Sequence, residues 1–383
     1  MRFCTNIFLT LLASFLFSLA HPNFLFENGV AFFGFIALFP LYIVLKRATP
    51  KNAWLFGAIF GGISYGLFCY WLTAYHPYTI YIAVFSYALI LALLFEILEF
   101  EFLLFEKIEC KSDFFSILLL SLTWTSYEFL KTKGFLGFSY GILAYSQWKS
   151  NLFLQSASWG GVWPLSFFCA FTSFSFGNFV FTKKPILFVK KNHILLTFWA
   201  FCFLFLLVSG KILLLKHSNQ SSQTVSVICV QNNTDSHKYD FEIYKRDISI
   251  LKSLSKKGLE AHPNADLVVW PETAVVPPII ENYNSKRDFD RYQMVLDILR
   301  FFSENDSAFV VGNQHTEKDG DFNSALVFDS YGKNPFPPEP KRYSKIHLVP
   351  FSEYFPYRKQ LAGEVKSFSR QLFFRLQSSV PGQ

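Results

Sequence analysis

The amino-terminal 216 residues contain seven apolar segments, a pattern that constrains the fold more than any other feature of the sequence. Most of the segments reach the length of about 20 residues that a helix needs to cross a bilayer. We therefore predict a polytopic α-helical membrane domain over residues 1–216, with about seven transmembrane helices. The first segment, which ends in Ser18-Leu-Ala20, also fits a cleaved signal peptide. The segments lie near residues 3–20, 29–45, 53–73, 79–105, 114–131, 152–181 and 193–215.

Basic side chains are concentrated in this apolar half. Residues 1–216 carry 15 Lys and Arg against 8 Asp and Glu, whereas residues 217–383 carry 20 of each kind. An excess of positive charge that is confined to the apolar half indicates that the partner is the anionic headgroups of lipids and argues against nucleic acid.

The connections between segments predict an orientation. Those at 46–52, 106–113 and 182–192 hold nine Lys and Arg, whereas those at 21–28 and 74–78 hold none. The positive-inside rule then places the amino terminus in the cytoplasm. After seven crossings the second half is expected to face the periplasm or the exterior.

The second half of the chain has the pattern of an α/β domain. A polar run at residues 217–223 is predicted to be a linker, and strands then alternate with helices over residues 224–383. The predicted strands are Thr224–Gln231, Asp266–Trp270, Ala308–Gly312 and Ser324–Asp329, and the predicted helices are Phe241–Leu259 and Arg287–Asn305.

Three charged residues in this domain are candidates for chemistry. Glu272 follows a buried strand, at the edge where α/β folds place functional groups, and is a candidate general base. Lys345 lies among aromatic and branched residues, where a fixed ammonium would stabilise an oxyanion. Glu353 lies between Pro350 and Pro356 in a stiff loop. Each also fits a plainer interpretation, as a turn cap, a surface lysine or a loop carboxylate.

The six cysteines follow neither a metal-binding nor a disulfide spacing. Cys4, Cys69, Cys169 and Cys202 lie in apolar segments and Cys110 lies in the connection between two of them, and all five are expected to pack as small hydrophobic residues. We predict neither a metal nor a cofactor.

Taken together, five motifs resemble those of the apolipoprotein N-acyltransferases, membrane-embedded members of the nitrilase (carbon–nitrogen hydrolase) superfamily. The resemblance covers the membrane half and most of the second half. One departure is Ser139-Tyr140, where the family usually has a Pro-Trp-like pair. The motifs are Val230-Gln-Asn-Asn233, Val269-Trp-Pro-Glu272-Thr, Phe322-Asn-Ser-Ala325, Tyr343-Ser-Lys345-Ile-His-Leu-Val-Pro-Phe-Ser-Glu353-Tyr-Phe-Pro356, and Gly134–Tyr140 with Tyr145-Ser-Gln147.

The resemblance implies a nitrilase-like αββα sandwich outside the cytoplasm and a Glu-Lys-Cys triad. Glu272 would be the general base, Lys345 the oxyanion stabiliser and Glu353 a supporting carboxylate. The family takes an acyl chain from a phospholipid as a Cys thioester. It then transfers the chain to the amino-terminal diacylglyceryl-cysteine of a lipoprotein, without metal or cofactor.

The nucleophile of that triad is not found, since no cysteine follows Cys229. Cys229 itself lies inside a predicted strand, which is a poor position for a nucleophile. We expect the chain to be a fragment incomplete at its carboxyl end, half of a split gene whose second polypeptide carries the cysteine, or a decayed product. In each case residues 1–383 alone are expected to be inactive.

Two other functions are considered. A membrane-tethered nitrilase-type amidase would share the triad but act on small amides. A transporter or membrane scaffold would use ionisable groups within its spans. Its candidates are Glu96, Glu99, Glu101 and Glu128, which we expect to lie at the membrane interfaces.

Overall fold

The structure is a computed structural model that describes residues 2–75, 78–107, 113–134, 137–182, 185–218, 224–234, 240–317, 320–329 and 336–348. The chain divides into two compact units, Met1–Gln220 and Ser221–Gln383. The first unit is helical and the second combines helices with a five-stranded sheet. The sequence predicts a helical first half and an α/β second half, and both are confirmed.

Four helices of the first unit are long and apolar enough to cross a membrane: Arg2–Ala20, Thr79–Phe105, Trp163–Thr182 and His193–Lys216. The other three predicted spans contain shorter or less apolar helices, so seven crossings remain a prediction. The helices are α1 (Arg2–Ala20), α2 (Ala31–Gly34), α3 (Phe39–Leu45), α4 (Ala53–Phe68), α5 (Leu72–Tyr75), α6 (Thr79–Lys107), α7 (Asp113–Leu130), α8 (Asn151–Leu154), α9 (Ala157–Gly160), α10 (Trp163–Thr182), α11 (Pro185–Lys191) and α12 (His193–Ser218), with a 3-10 turn at Leu143–Gln147.

The second apolar segment is interrupted, although the sequence predicts one continuous helix there. Its two helices, α2 and α3, are separated by residues 35–38. The backbone N–H of Leu38 donates to Ser173 Oγ of α10 at 2.7 Å, and Ser173 is fully buried. A neighbouring helix thus provides a hydrogen-bond partner at the interruption, as a buried break in a helix requires.

Glu128 and Glu99 are buried inside the first unit, with 0% and 3% exposure. Glu128 Oε1 accepts hydrogen bonds from Trp124 Nε1 and from the backbone N–H of Leu143, both at 3.0 Å. Its second oxygen accepts from Ser166 Oγ. Both carboxylates thus lie inside the unit, and their position at the membrane interfaces stays a prediction. Glu128 joins α7, α10 and the 3-10 turn.

The sheet of the second unit has the strand order β1-β2-β3-β4-β5. Strands β1, β2 and β3 are parallel, whereas β4 and β5 are antiparallel to their neighbours. The strands are β1 (Val227–Cys229), β2 (Leu267–Val269), β3 (Ala308–Glu317), β4 (Gly320–Phe328) and β5 (Lys341–Ser344), and the helices are α13 (Phe241–Ala261), α14 (Ile279–Ser285) and α15 (Phe289–Ser303).

Alternate strand residues form the core of this unit. Val268, Phe309 and Leu326 point to one face of the sheet and are at most 1% exposed. They belong to one apolar cluster with residues of α13 and α15, such as Leu251 and Val295. The four predicted strands and two predicted helices are confirmed with shifted ends. Both β5 and α14 were not predicted.

Candidate active site

Trp270 anchors the end of β2 and so positions Glu272. Its backbone N–H donates to Val310 O at 2.8 Å, and its indole Nε1 donates to Ser255 Oγ at 2.8 Å. The indole ring is 2% exposed and packs against Phe301, Phe302 and Phe309. Because the tryptophan is fixed on the core side, the chain leaves the sheet edge at a defined point, two residues before the glutamate.

Gly312 of β3 lets the backbone that carries Glu272 cross the sheet. A Cβ atom at this position would lie 2.2 Å from Pro271 O, 2.6 Å from Thr273 N and 2.7 Å from Glu272 Cα. All three contacts are to backbone, so no side-chain movement would relieve them. Thr273 also has a left-handed φ of 55°, which turns the chain sharply after the glutamate.

Asn313, the next residue of β3, holds the chain beyond the glutamate. Its fully buried amide donates through Nδ2 to Val275 O at 2.6 Å and to Pro277 O at 3.1 Å. Its Oδ1 accepts from the backbone N–H of Ile279 at 3.2 Å. One side chain therefore satisfies three backbone groups, two between Glu272 and α14 and one on the first residue of α14.

Lys345 is brought to Glu272 by the pairing of β4 with β5. Ser344 pairs with Ser324 in the register of the two strands, and Lys345 follows directly. The Lys345 Nζ donates to Glu272 Oε1 at 3.2 Å, although the two residues are 73 positions apart. The structure thus brings together two of the predicted site residues.

The pair lies at an open edge of the unit. The Glu272 side chain is 63% exposed and the Lys345 side chain 31% exposed. An ion pair this exposed contributes little to folding stability because water and salt screen it. A role in catalysis therefore explains the close contact of Glu272 and Lys345 better than a contribution to folding stability does.

Asn323 is a third member of the cluster that sequence reasoning did not single out. Its Nδ2 donates to Glu272 Oε1 at 2.5 Å, and its backbone carbonyl accepts from Lys345 N at 2.8 Å. The residue lies in the Phe322-Asn-Ser-Ala325 motif, which was the available signal. The sequence does not reveal which residue the amide contacts.

Two further predictions concern Glu353 and the cysteines. Glu353 lies outside the described residues, so its supporting role stays a prediction. Cys229 is exposed and lies within β1, paired with Val269. In the part of the chain that the structure describes, no hydrogen bond joins Cys229 to Glu272 or Lys345. The same residues contain no group of three or more His, Cys, Asp or Glu that could hold a metal ion.

The cluster contains the two groups that acyl transfer needs beside its nucleophile, a carboxylate that can act as a base and a cation that can stabilise an oxyanion. A carboxylate held at one oxygen can accept a proton from a nucleophile through the other. An ammonium beside it can stabilise the negative charge that develops on a carbonyl oxygen.

Comparisons with known proteins agree with this chemistry. Residues 13–175 match the family model of the apolipoprotein N-acyltransferase N-terminal domain. The chain is 34% identical, over 93% of its length and 68% of the relative's, to apolipoprotein N-acyltransferase 1 of Treponema denticola. It is also 34% identical to apolipoprotein N-acyltransferase 1 of Treponema pallidum, over 92% of this chain and 66% of that protein.

The chain thus spans about two thirds of the length of these relatives. The similarity extends through both units and includes the residues that carry the Glu272–Lys345 pair. The chain belongs to the apolipoprotein N-acyltransferase family of acyltransferases.

Proposed function

We propose that this chain provides the membrane anchor and the Glu–Lys part of the active site for N-acylation of bacterial lipoproteins. The acyl donor is a phospholipid, and the acceptor is the α-amino group of an amino-terminal diacylglyceryl-cysteine. The observation that carries this proposal is the 3.2 Å contact between Lys345 Nζ and Glu272 Oε1 in a chain of this family.

The proposed reaction has two steps. Glu272 takes the proton of a cysteine thiol, whose sulfur attacks the sn-1 ester carbonyl while Lys345 stabilises the oxyanion. The lysophospholipid leaves with a proton, and the acyl chain remains as a thioester. The acceptor amine then attacks the thioester, an amide forms, and the thiol is regenerated.

The nucleophilic thiol comes from outside residues 1–383 in this proposal, because no cysteine follows Cys229. It belongs to a second polypeptide or to a longer form of the chain. Glu353 acts as a supporting carboxylate in this proposal.

The second unit is proposed to form one half of an αββα sandwich. Strand residues on the face opposite Val268 and Phe309 are also apolar, and Val227, Val269 and Val310 are only partly buried or exposed. Strands that are apolar on both faces are typical of sheets covered on both sides. A second sheet packed on this face would complete the sandwich.

The second unit is also proposed to lie on the periplasmic side of the inner membrane. The support is the distribution of Lys and Arg among the connections, which favours a cytoplasmic amino terminus. Since both substrates are lipids, a membrane anchor keeps the site beside them.

A chimaera tests the function. It joins residues 1–383 to the carboxy-terminal part of the Treponema denticola relative that lies beyond the alignment. In proteoliposomes with a diacylglyceryl lipopeptide, we expect the peptide mass to rise by one acyl chain. The chimaera with Glu272→Gln should lose at least about 100-fold in rate, as removal of a general base does.

Three results would contradict the proposal. An inactive chimaera would argue against acyl transfer. A fully active Glu272→Gln chimaera would exclude the general base. Transfer by residues 1–383 alone would show that the nucleophile lies within them.

A further inference from the structure

We propose that Asn323 is a positioning residue that holds the Glu272 carboxylate in its reactive orientation beside Lys345. This inference rests on the proposed role of Glu272 as general base. It assigns Asn323 a function in the site that the acyl-transfer chemistry does not by itself require.

Asn323 contacts both members of the pair, through different atoms. Its side-chain amide donates to Glu272 Oε1 at 2.5 Å. Its backbone carbonyl accepts from Lys345 N at 2.8 Å. One residue therefore fixes the carboxylate directly and fixes the lysine through the main chain.

The sheet determines where this amide lies. Asn323 belongs to β4 and is paired with Gln314 of β3. The adjacent Ser324 Oγ donates to Ser344 Oγ of β5 at 2.9 Å. These contacts place Asn323 between the strand that precedes Lys345 and the strand over which the Glu272 backbone crosses.

The two donors meet on the same oxygen of the carboxylate. Asn323 Nδ2 and Lys345 Nζ both reach Oε1, and among the described residues no hydrogen bond reaches Oε2. The second oxygen is then the one oriented to take a proton. The amide also differs from the lysine in that, as a neutral donor, it is affected little by salt.

The consequence is chemical as well as geometric. A hydrogen bond to a carboxylate is stronger than one between neutral groups and so restricts the orientation of the side chain more firmly. At an exposed edge the ammonium is screened, so the amide is needed to hold the carboxylate ready to accept a proton. Without the amide, the Glu272 side chain would be free to rotate away from Lys345.

The experiment uses residues 1–383 in detergent and needs no acyl transfer. A water-soluble carbodiimide with an excess of glycine ethyl ester couples to carboxyl groups that are free to reach the reagent, and peptide mass spectrometry gives the rate at each residue. Asn323→Ala removes one of the two donors that hold Oε1 and should raise the coupling rate of Glu272 about 3- to 10-fold at one fixed pH. Asn323→Asp, which is similar in shape but replaces the donor by a carboxylate, should raise it further.

Two controls separate positioning from a loss of structure. Gln314→Ala removes an amide from the paired position on β3 and should leave the Glu272 rate unchanged. Glu281, an exposed carboxylate on α14, should couple at the same rate in every variant, since its rate would rise if the unit unfolded. An unchanged Glu272 rate in Asn323→Ala, or an equal rise at Glu281, would overturn the proposal.

A second arm separates this inference from the proposed function. In the chimaera, Asn323→Ala should lower the rate of acyl transfer about 10-fold or more at saturating lipid, with little change in KM. If the unsubstituted chimaera is inactive, the function proposal fails, yet the coupling rates still decide the role of Asn323. If acyl transfer is unaffected while Glu272 coupling rises, Asn323 orders the carboxylate without serving the reaction, and the inference fails.

Discussion

At the scale of single residues, the site depends on the absence of a side chain at Gly312 as much as on the carboxylate of Glu272. Only a glycine leaves room for Pro271, Glu272 and Thr273 to pass directly over β3. The sequence context makes Glu272 and Lys345 candidates but gives no signal for this glycine. Its role arises from contact between segments 40 residues apart, which no local pattern records.

Gly312→Ala is expected to displace the Glu272 turn, because the added methyl group would lie within 2.7 Å of three backbone atoms. Overpacking of this kind costs about 2 kcal/mol or more of unfolding free energy. The measurement is the thermal unfolding midpoint of the purified chain. Gly62→Ala is the control, because its Cβ would find only ordinary contacts, at 3.7 Å or more. An equal midpoint for both variants would contradict the close approach.

At the scale of elements, the strands and helices of the second unit were predictable because each is a local apolar pattern. The helix α14 and the strand β5 were not, because both are short and depend on partners distant in sequence. In the first unit, hydropathy predicted an apolar segment at 29–45 but not its interruption. That interruption depends on a hydrogen bond from Ser173, 135 residues away.

The chain segment between Glu272 and α14 is expected to loosen when Asn313 is replaced by Ala. The substitution leaves three backbone groups in a buried setting without their partner and should cost about 3 kcal/mol. Hydrogen exchange should rise over residues 275–285. Asn282→Ala, which removes one local bond to Pro278 O, serves as the milder control. Equal protection in the two variants would exclude the bridging role of Asn313.

Glu128 is expected to act as a hydrogen-bond acceptor and not as a charge carrier. A glutamine can still accept from Trp124 and Leu143 and can donate to Ser166, so Glu128→Gln should change stability by less than about 1 kcal/mol. Glu128→Ala removes all of these bonds and should cost about 3 kcal/mol. Thermal unfolding in nanodiscs compares the two. If glutamine is as damaging as alanine, the charge itself is required and a transport role regains support.

At the scale of the whole molecule, residues 1–383 include Glu272, the proposed base, and Lys345, but no cysteine after Cys229. Native cysteines also test the proposed orientation. Cys229 is exposed in the second unit, whereas Cys110 belongs to a connection predicted to face the cytoplasm. In intact cells that express residues 1–383 alone and have a permeable outer membrane, an impermeant maleimide should label Cys229 but not Cys110. The opposite pattern would reverse the topology.

The most direct test of the account is whether Glu272 and Lys345 touch in the purified chain. A carbodiimide without added amine joins a carboxylate to an amine only where the two are in contact. We predict an isopeptide bond between Glu272 and Lys345 in residues 1–383, because their atoms lie 3.2 Å apart. The bond should disappear in Glu272→Gln and weaken in Asn323→Ala. If no such cross-link forms while the exposed Lys252–Asp297 pair, at 2.7 Å, does cross-link, the proposed active site is wrong.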